Sequence, residues 1–241
     1  MENLEKQTNV EKKEEMDSRH IDIHMVRHGQ QNEYEDTKSQ LSPEGEKQAK
    51  QFALELLKSY SGQEVIIKIK HSPVDRAAQT ANVIEATISE KLTANKKSDE
   101  YAKISLYNTK LTSDLKTTGG LGPIIKSGVP YDKSLDEWLT NADKYSEARK
   151  PSEIADQIEK MVDNSNKLIH NISDEGPNIV YVWVTHETAH AAVAQRLMKN
   201  SSSEDIGEKI EHLEDMKISI SNNPNSKPSV KFKEKTFNLN K

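Results

Sequence analysis

Six consecutive residues, Ile179-Val180-Tyr181-Val182-Trp183-Val184, give the strongest strand signal in the chain. Both of their alternating faces are apolar, so this strand belongs in the centre of a sheet with helices on each side. The sequence upstream agrees. Ile21–Val26 alternates apolar with other residues, as a strand does. Ser42-Pro43-Glu44 then opens a helix: serine caps it, proline suits the first turn, and glutamate suits the positive end. Ala49, Phe52, Ala53, Leu56 and Leu57 recur at helical spacing behind that cap. Val65–Ile69 is β-branched, and Val74 to about Leu92 predicts a helix with Ala77, Ala81, Ile84 and Ile88 inward. Strand, helix, strand, helix is the signature of parallel βαβ units.

The middle of the chain is less regular. Lys103–Leu106 predicts a short strand and the glycine- and proline-rich stretch Gly119–Pro130 a loop. Ser134–Tyr145, Pro151–Ile172 and Glu187–Met198 predict helices, and Lys217–Ser221 and Ser229–Thr236 late edge strands. The expected architecture is an α/β three-layer α/β/α sandwich with a mostly parallel central sheet. It occupies residues 20–241 as a single domain behind a disordered N-terminal tail over residues 1–19.

Composition removes several classes of function. A balance of 34 basic against 39 acidic residues gives a net charge of −5, against the basic footprint that a nucleic-acid binder needs. The absence of cysteine excludes disulfides, thiolate metal sites and cysteine nucleophiles together. No apolar run approaches the roughly 20 residues that span a bilayer. The polar N-terminus lacks the apolar centre of a secretion signal. A cytoplasmic protein, with no nucleic-acid or membrane partner, is the expectation; oligomeric state is open.

Arg27-His28-Gly29 ends the first predicted strand, and this placement suits anion chemistry. The strand fixes an imidazole, the arginine supplies a planar cation, and the glycine lets backbone close up on an anion. Two later segments supply further pieces of a phosphate pocket: Ser72-Pro73-Val74-Asp75-Arg76-Ala77-Ala78-Gln79-Thr80-Ala81 and Val184-Thr185-His186. His28 and His186 each follow a strand, and Arg76 opens the helix after a third. In an open α/β sheet, ligands sit at the carboxyl ends of strands, so three elements aim at one rim. Neutral imidazole is a good nucleophile for phosphorus, the role expected of His28. Arg27 and Arg76 would clamp the phosphoryl oxygens with guanidinium forks, and His186 would donate a hydrogen bond to them. No metal or other cofactor is called for.

Together with Leu41-Ser42-Pro43-Glu44-Gly45-Glu46-Lys47-Gln48-Ala49, these segments resemble the histidine phosphatase superfamily, which includes the cofactor-dependent phosphoglycerate mutases. All four blocks occur in the family's order, from about Ile21 to Leu197. The resemblance implies a phosphoglycerate mutase-like fold, transient phosphorylation of His28, and a phosphorylated small molecule or phosphoprotein as substrate. It also implies a carboxylic general acid after the third strand, for which Asp114 is the candidate. Glu187, beside the second histidine, is its rival, and Glu137 a poorer third. The family's mutase block E-R-H-Y-G is absent, which favours hydrolysis. Gln31 and Asn32 depart from the family pattern after R-H-G, which keeps open a phosphate-binding pseudoenzyme without turnover.

A different chemistry is also written in the chain. His186-Glu187-Thr188-Ala189-His190 matches H-E-x-x-H, the zinc metallopeptidase pattern, in which both histidines share one helical face. Here the predicted strand runs almost to His186, which puts the first histidine at a strand-to-helix junction. His20, His24 and His28 are four apart as well, but on an alternating strand they are too spread to share an ion.

Overall fold

The computed structural model describes residues 19–32, 40–95, 99–116, 120–172, 175–197, 210–223 and 225–238. The expected tail therefore lies almost wholly outside the described residues, as does Gly119 of the predicted loop Gly119–Pro130.

Among the described residues seven strands form one sheet in the order β3-β2-β4-β1-β5-β6-β7. They are β1 (His20–Arg27), β2 (Val65–His71), β3 (Ile104–Leu111), β4 (Asn178–Thr185), β5 (Asp215–Ser221), β6 (Ser229–Phe232) and β7 (Lys235–Asn238). β3, β2, β4 and β1 run parallel, whereas β5, β6 and β7 continue the sheet antiparallel. The sheet is thus parallel in its centre and antiparallel on one flank.

β4 occupies the central slot that its sequence predicts. Val180, Val182 and Val184 pack with α1 (Pro43–Ser59) and α2 (Asp75–Ala94) on one face. Ile179, Tyr181 and Trp183 pack on the other with α4 (Tyr131–Asn141), α5 (Pro151–Asn171) and α6 (Glu187–Leu197). Helices on both faces make the three layers. The cap of α1 forms as read: the Ser42 hydroxyl accepts from the Gly45 amide at 3.0 Å, with Pro43 in the first turn.

Four local expectations are corrected. The predicted loop over 119–130 contains a short helix, α3 (Gly122–Lys126), because Ile124 is fully buried and fastens that turn to the core. α4 starts at Tyr131 rather than Ser134, directly after Pro130, and Ala142–Lys144 tightens into a 3-10 turn. The segment at Lys217–Ser221 is no edge: β5 pairs with β1 on one side and β6 on the other. Ser229–Thr236 is two strands folded back on each other, with Lys233 at φ 52° in the turn between them.

The same topology sets up the site. The chain passes from β1 through α1 to β2 and leaves a vacant slot, which β4 later fills. In the resulting register Arg27 lies opposite Thr185, and His71 opposite Val184. The residues just beyond three parallel strands, His28, Ser72 and His186, therefore emerge side by side at the carboxyl end of the sheet.

Candidate active site

His28 is almost fully buried at the end of β1. Its Nδ1 donates to the carbonyl of Gly29 at 2.8 Å. That bond fixes the tautomer and leaves Nε2 with the lone pair. Arg76, in the first turn of α2, donates from Nε to that Nε2 at 2.8 Å. The pocket keeps the ring neutral: burial pushes its pKa well below the ordinary value, and His186, Arg76 and Arg27 push in the same direction.

His186 stands against it, with ring centroids 5.3 Å apart in an edge-to-face arrangement. Burial, helped by Arg76, Arg27 and His190, brings its pKa down from 6.5 to about 3. Its Nε2 lies 2.9 Å from the hydroxyl of Ser72, the residue just after β2. Nδ1 of His186 is buried and has no hydrogen-bond partner among the described residues. Nε of Arg27 is in the same condition. Native interiors rarely leave such atoms unmatched. If the Ser72 hydroxyl donates to Nε2, Nδ1 carries the proton, and both unmatched atoms are then donors suited to anionic oxygens.

The remaining nitrogens of Arg27 are engaged. Nη1 donates to the carbonyl of Ile210, and Nη2 lies 3.4 Å from the carboxylate of Glu187. The two glycines of the motifs are explained by close approach. A Cβ on Gly45 would sit 2.2 Å from the carbonyl oxygen of Gln30, and one on Gly29 would sit 2.7 Å from that of Gly45. Only bare backbone lets the start of α1 lie against the loop that follows His28. Thr80 braces the same loop: its hydroxyl donates to the Arg76 carbonyl and accepts from the Gly29 amide at 3.0 Å.

Arg27, His28, Arg76 and His186 therefore meet, and Glu187 joins them through Arg27. Asp114 does not touch either imidazole. It sits in a 3-10 turn (Ser113–Leu115) after β3, where its carboxylate accepts from Thr112 Oγ1 at 3.4 Å and lies near the Lys70 ammonium. Glu137 is a helix-surface residue, bonded to Asn141 and the Tyr145 hydroxyl. In the H-E-x-x-H stretch, α6 begins only at Glu187, so His186 is outside the helix. His190 is fully buried, with Nε2 2.7 Å from the carbonyl of Met25. The two histidines thus point their Nε2 atoms at different protein partners. No group of three or more potential metal-ligating residues occurs among the described residues.

Sequence reasoning missed one side chain. His212, in the segment before β5, donates from Nδ1 to the carbonyl of His28 at 3.0 Å, with its ring 5.7 Å from that of His28. No local pattern marks it, because β5 comes to lie beside β1 only in the folded sheet.

A seven-stranded sheet, parallel in its centre and flanked by helices on both faces, is a phosphoglycerate mutase-like α/β fold. Comparison with known proteins agrees. The family model for the histidine phosphatase superfamily (branch 1) matches residues 23–103. A mycobacterial glucosyl-3-phosphoglycerate phosphatase superposes with a TM-score of 0.55 at 19% identity, covering 83% of this chain and 91% of that one. Phosphoglycerate mutase from Bacillus anthracis gives a TM-score of 0.51 at 17% identity over 90% and 94%. A phosphoserine phosphatase mutant from Entamoeba histolytica, in complex with phosphoserine, gives 0.53 at 14% over 83% and 94%. No curated protein matches the chain in sequence. The family model spans three of the four motif segments, the strand end with His186 lying beyond it, and the solved structures share the fold. No helix among the described residues is long and apolar enough to cross a membrane.

Proposed function

We propose that the protein is a metal-independent phosphomonoesterase that works through a phosphohistidine on His28. The observation that carries this reading is the pairing of a neutral, lone-pair-bearing Nε2 on His28 with unmatched nitrogens on Arg27 and His186 in the same buried pocket. A tetrahedral dianion supplies the acceptors that those nitrogens lack, and its phosphorus would stand before the nucleophile.

In the first step Nε2 of His28 attacks phosphorus, an N–P bond forms and the P–O bond to the leaving group breaks. Arg27, Arg76 and His186 hold the equatorial oxygens as charge spreads over them. Arg76 first gives up its bond to Nε2 of His28, which frees the attacking lone pair and turns the guanidinium to the phosphoryl oxygens. The leaving oxygen takes a proton. This role passes from Asp114 to Glu187, since Asp114 is engaged with Thr112 and Lys70 while Glu187 lies on the pocket wall. An incoming phosphate competes for Arg27, and a carboxylate that loses its guanidinium partner binds a proton more readily. In the second step water attacks phosphorus, the N–P bond breaks, inorganic phosphate departs and Glu187 recovers its proton.

The substrate class follows as a phosphorylated small molecule or phosphoprotein. The test is hydrolysis of p-nitrophenyl phosphate by the full chain, with His28→Ala as control and vanadate as inhibitor. Activity that survives the substitution sinks the nucleophile. Vanadate or phosphate binding without turnover would instead support the pseudoenzyme reading.

A further inference from the structure

The walls of the site are not all supplied by the motif segments. Residues 210–214 touch Arg27 and His28 at four points. The Ile210 carbonyl accepts from Arg27 Nη1, and His212 Nδ1 donates to the His28 carbonyl at 3.0 Å. The Leu213 amide donates to the Arg27 carbonyl at 3.1 Å, and the Glu214 carbonyl accepts from the Arg27 amide at 3.4 Å. Leu213 makes its contact at φ 58°, a left-handed conformation that a branched side chain rarely adopts. Such a conformation persists only where the surroundings enforce it.

Two residues beyond Leu213 the chain is fastened to β1. Asp215 begins β5, and its Oδ2 is 2.6 Å from Nδ1 of His24, on the neighbouring strand β1. The other ring nitrogen of His24, Nε2, is 2.8 Å from the hydroxyl of Tyr60. That hydroxyl donates its only proton to Asp22 at 2.7 Å. Tyr60 must therefore accept from Nε2–H, and a second proton must lie between Nδ1 and Asp215. The chain Asp215–His24–Tyr60–Asp22 is closed at its far end by Lys217, 2.8 Å from Asp22, and by Ser219 at 2.7 Å. Burial alone would raise the Asp22 pKa, but Lys217, Ser219 and Tyr60 hold it below the ordinary value. A continuous chain of side-chain hydrogen bonds thus ties β1, the end of α1 and β5 together.

We infer that His24 and Asp215 are positioning residues for this site: their hydrogen-bonded pair clamps the start of β5, and through residues 210–214 it sets the aim of Arg27 and His28. The inference rests on the phosphatase reading for its catalytic consequences, but the clamp itself can be measured without turnover. Asp215→Asn weakens a charge-assisted bond to a neutral one with little change in shape.

Two measurements test it. Hydrogen exchange at the Leu213 amide should accelerate in Asp215→Asn while exchange in β4 stays as in the wild type. In the same variant kcat/KM for p-nitrophenyl phosphate should fall roughly tenfold to a hundredfold, with vanadate inhibition weakened in parallel. Adding His212→Ala to Asp215→Asn should then cost little more, because both act through one segment. Asp215→Glu, which retains the charge, should restore part of the loss. Unchanged exchange at Leu213 would overturn the clamp, as would fully additive effects of the two substitutions. A wild-type chain that neither hydrolyses the ester nor binds vanadate would refute the phosphatase reading instead, and the exchange result would still decide the clamp.

Discussion

Nε of Arg76 donates to Nε2 of His28 across 2.8 Å, so the nitrogen expected to attack phosphorus is held as a lone-pair acceptor. A guanidinium at that distance excludes a proton from Nε2 and stands where a phosphoryl oxygen would arrive. Arg76→Lys keeps the charge but loses the fixed fork. We expect kcat/KM for p-nitrophenyl phosphate to drop roughly a hundredfold in that variant, with an unchanged far-UV spectrum. A change within twofold would remove Arg76 from the phosphate clamp.

The two candidate acids separate by leaving group. Nitrophenolate departs readily without a proton, whereas an alkoxide does not. Glu187→Gln should therefore slow hydrolysis of β-glycerophosphate by roughly 10²-fold or more, and of p-nitrophenyl phosphate far less. Asp114→Asn should leave both rates nearly intact. The opposite pattern would return the acid to Asp114.

Stability should be sensitive to acid in a particular window. In the unfolded chain His186 titrates near its ordinary 6.5, but in the fold it does so at about 3. His28 and His190 are shifted in the same direction, chiefly by burial. Below about pH 6.5 the unfolded state takes up protons that the native state refuses, so stability falls as pH drops towards 3. Above that window these groups contribute no pH dependence. Denaturant titrations at pH 7.5, 6.0 and 5.0 should show a declining midpoint, and His186→Gln should flatten the decline. A midpoint that rises on acidification would contradict the buried neutral imidazoles.

Gly45→Ala is expected to be costly although alanine favours helix. The new Cβ would lie 2.2 Å from the Gln30 carbonyl oxygen, a backbone atom that cannot swing aside. Destabilisation of about 2 kcal/mol or more should follow. A thermal midpoint within 1 °C of the wild type would show that the loop after His28 yields more easily than its packing implies.

Chelation should leave activity untouched. His186 Nε2 faces Ser72, and His190 Nε2 faces the Met25 carbonyl. Activity lost with EDTA and restored by zinc would revive the H-E-x-x-H reading.

Much of the site is legible in the chain because its pieces are local. The Ser42 cap, the inward faces of α1 and α2, and the strand-end placement of His28 and His186 follow from periodicity and capping within a few residues. Gly45 reads as part of a motif, but its reason lies at Gln30, fifteen residues away in sequence. The helix at Gly122–Lys126 was hidden by its own glycine and proline, since only burial of Ile124 stabilises so short a turn.

The sequence by itself determined which segments become strands and helices, and which side chains end the strands, because those depend on near neighbours. Tertiary structure alone decided that β4 enters between β1 and β2, which sets the imidazoles at 28 and 186 side by side. It also decided that β5 lies against β1, bringing His212 to His28 and Asp215 to His24. Partners nearly two hundred residues apart leave no periodic trace, for their meeting is fixed by strand order, a property of the whole sheet.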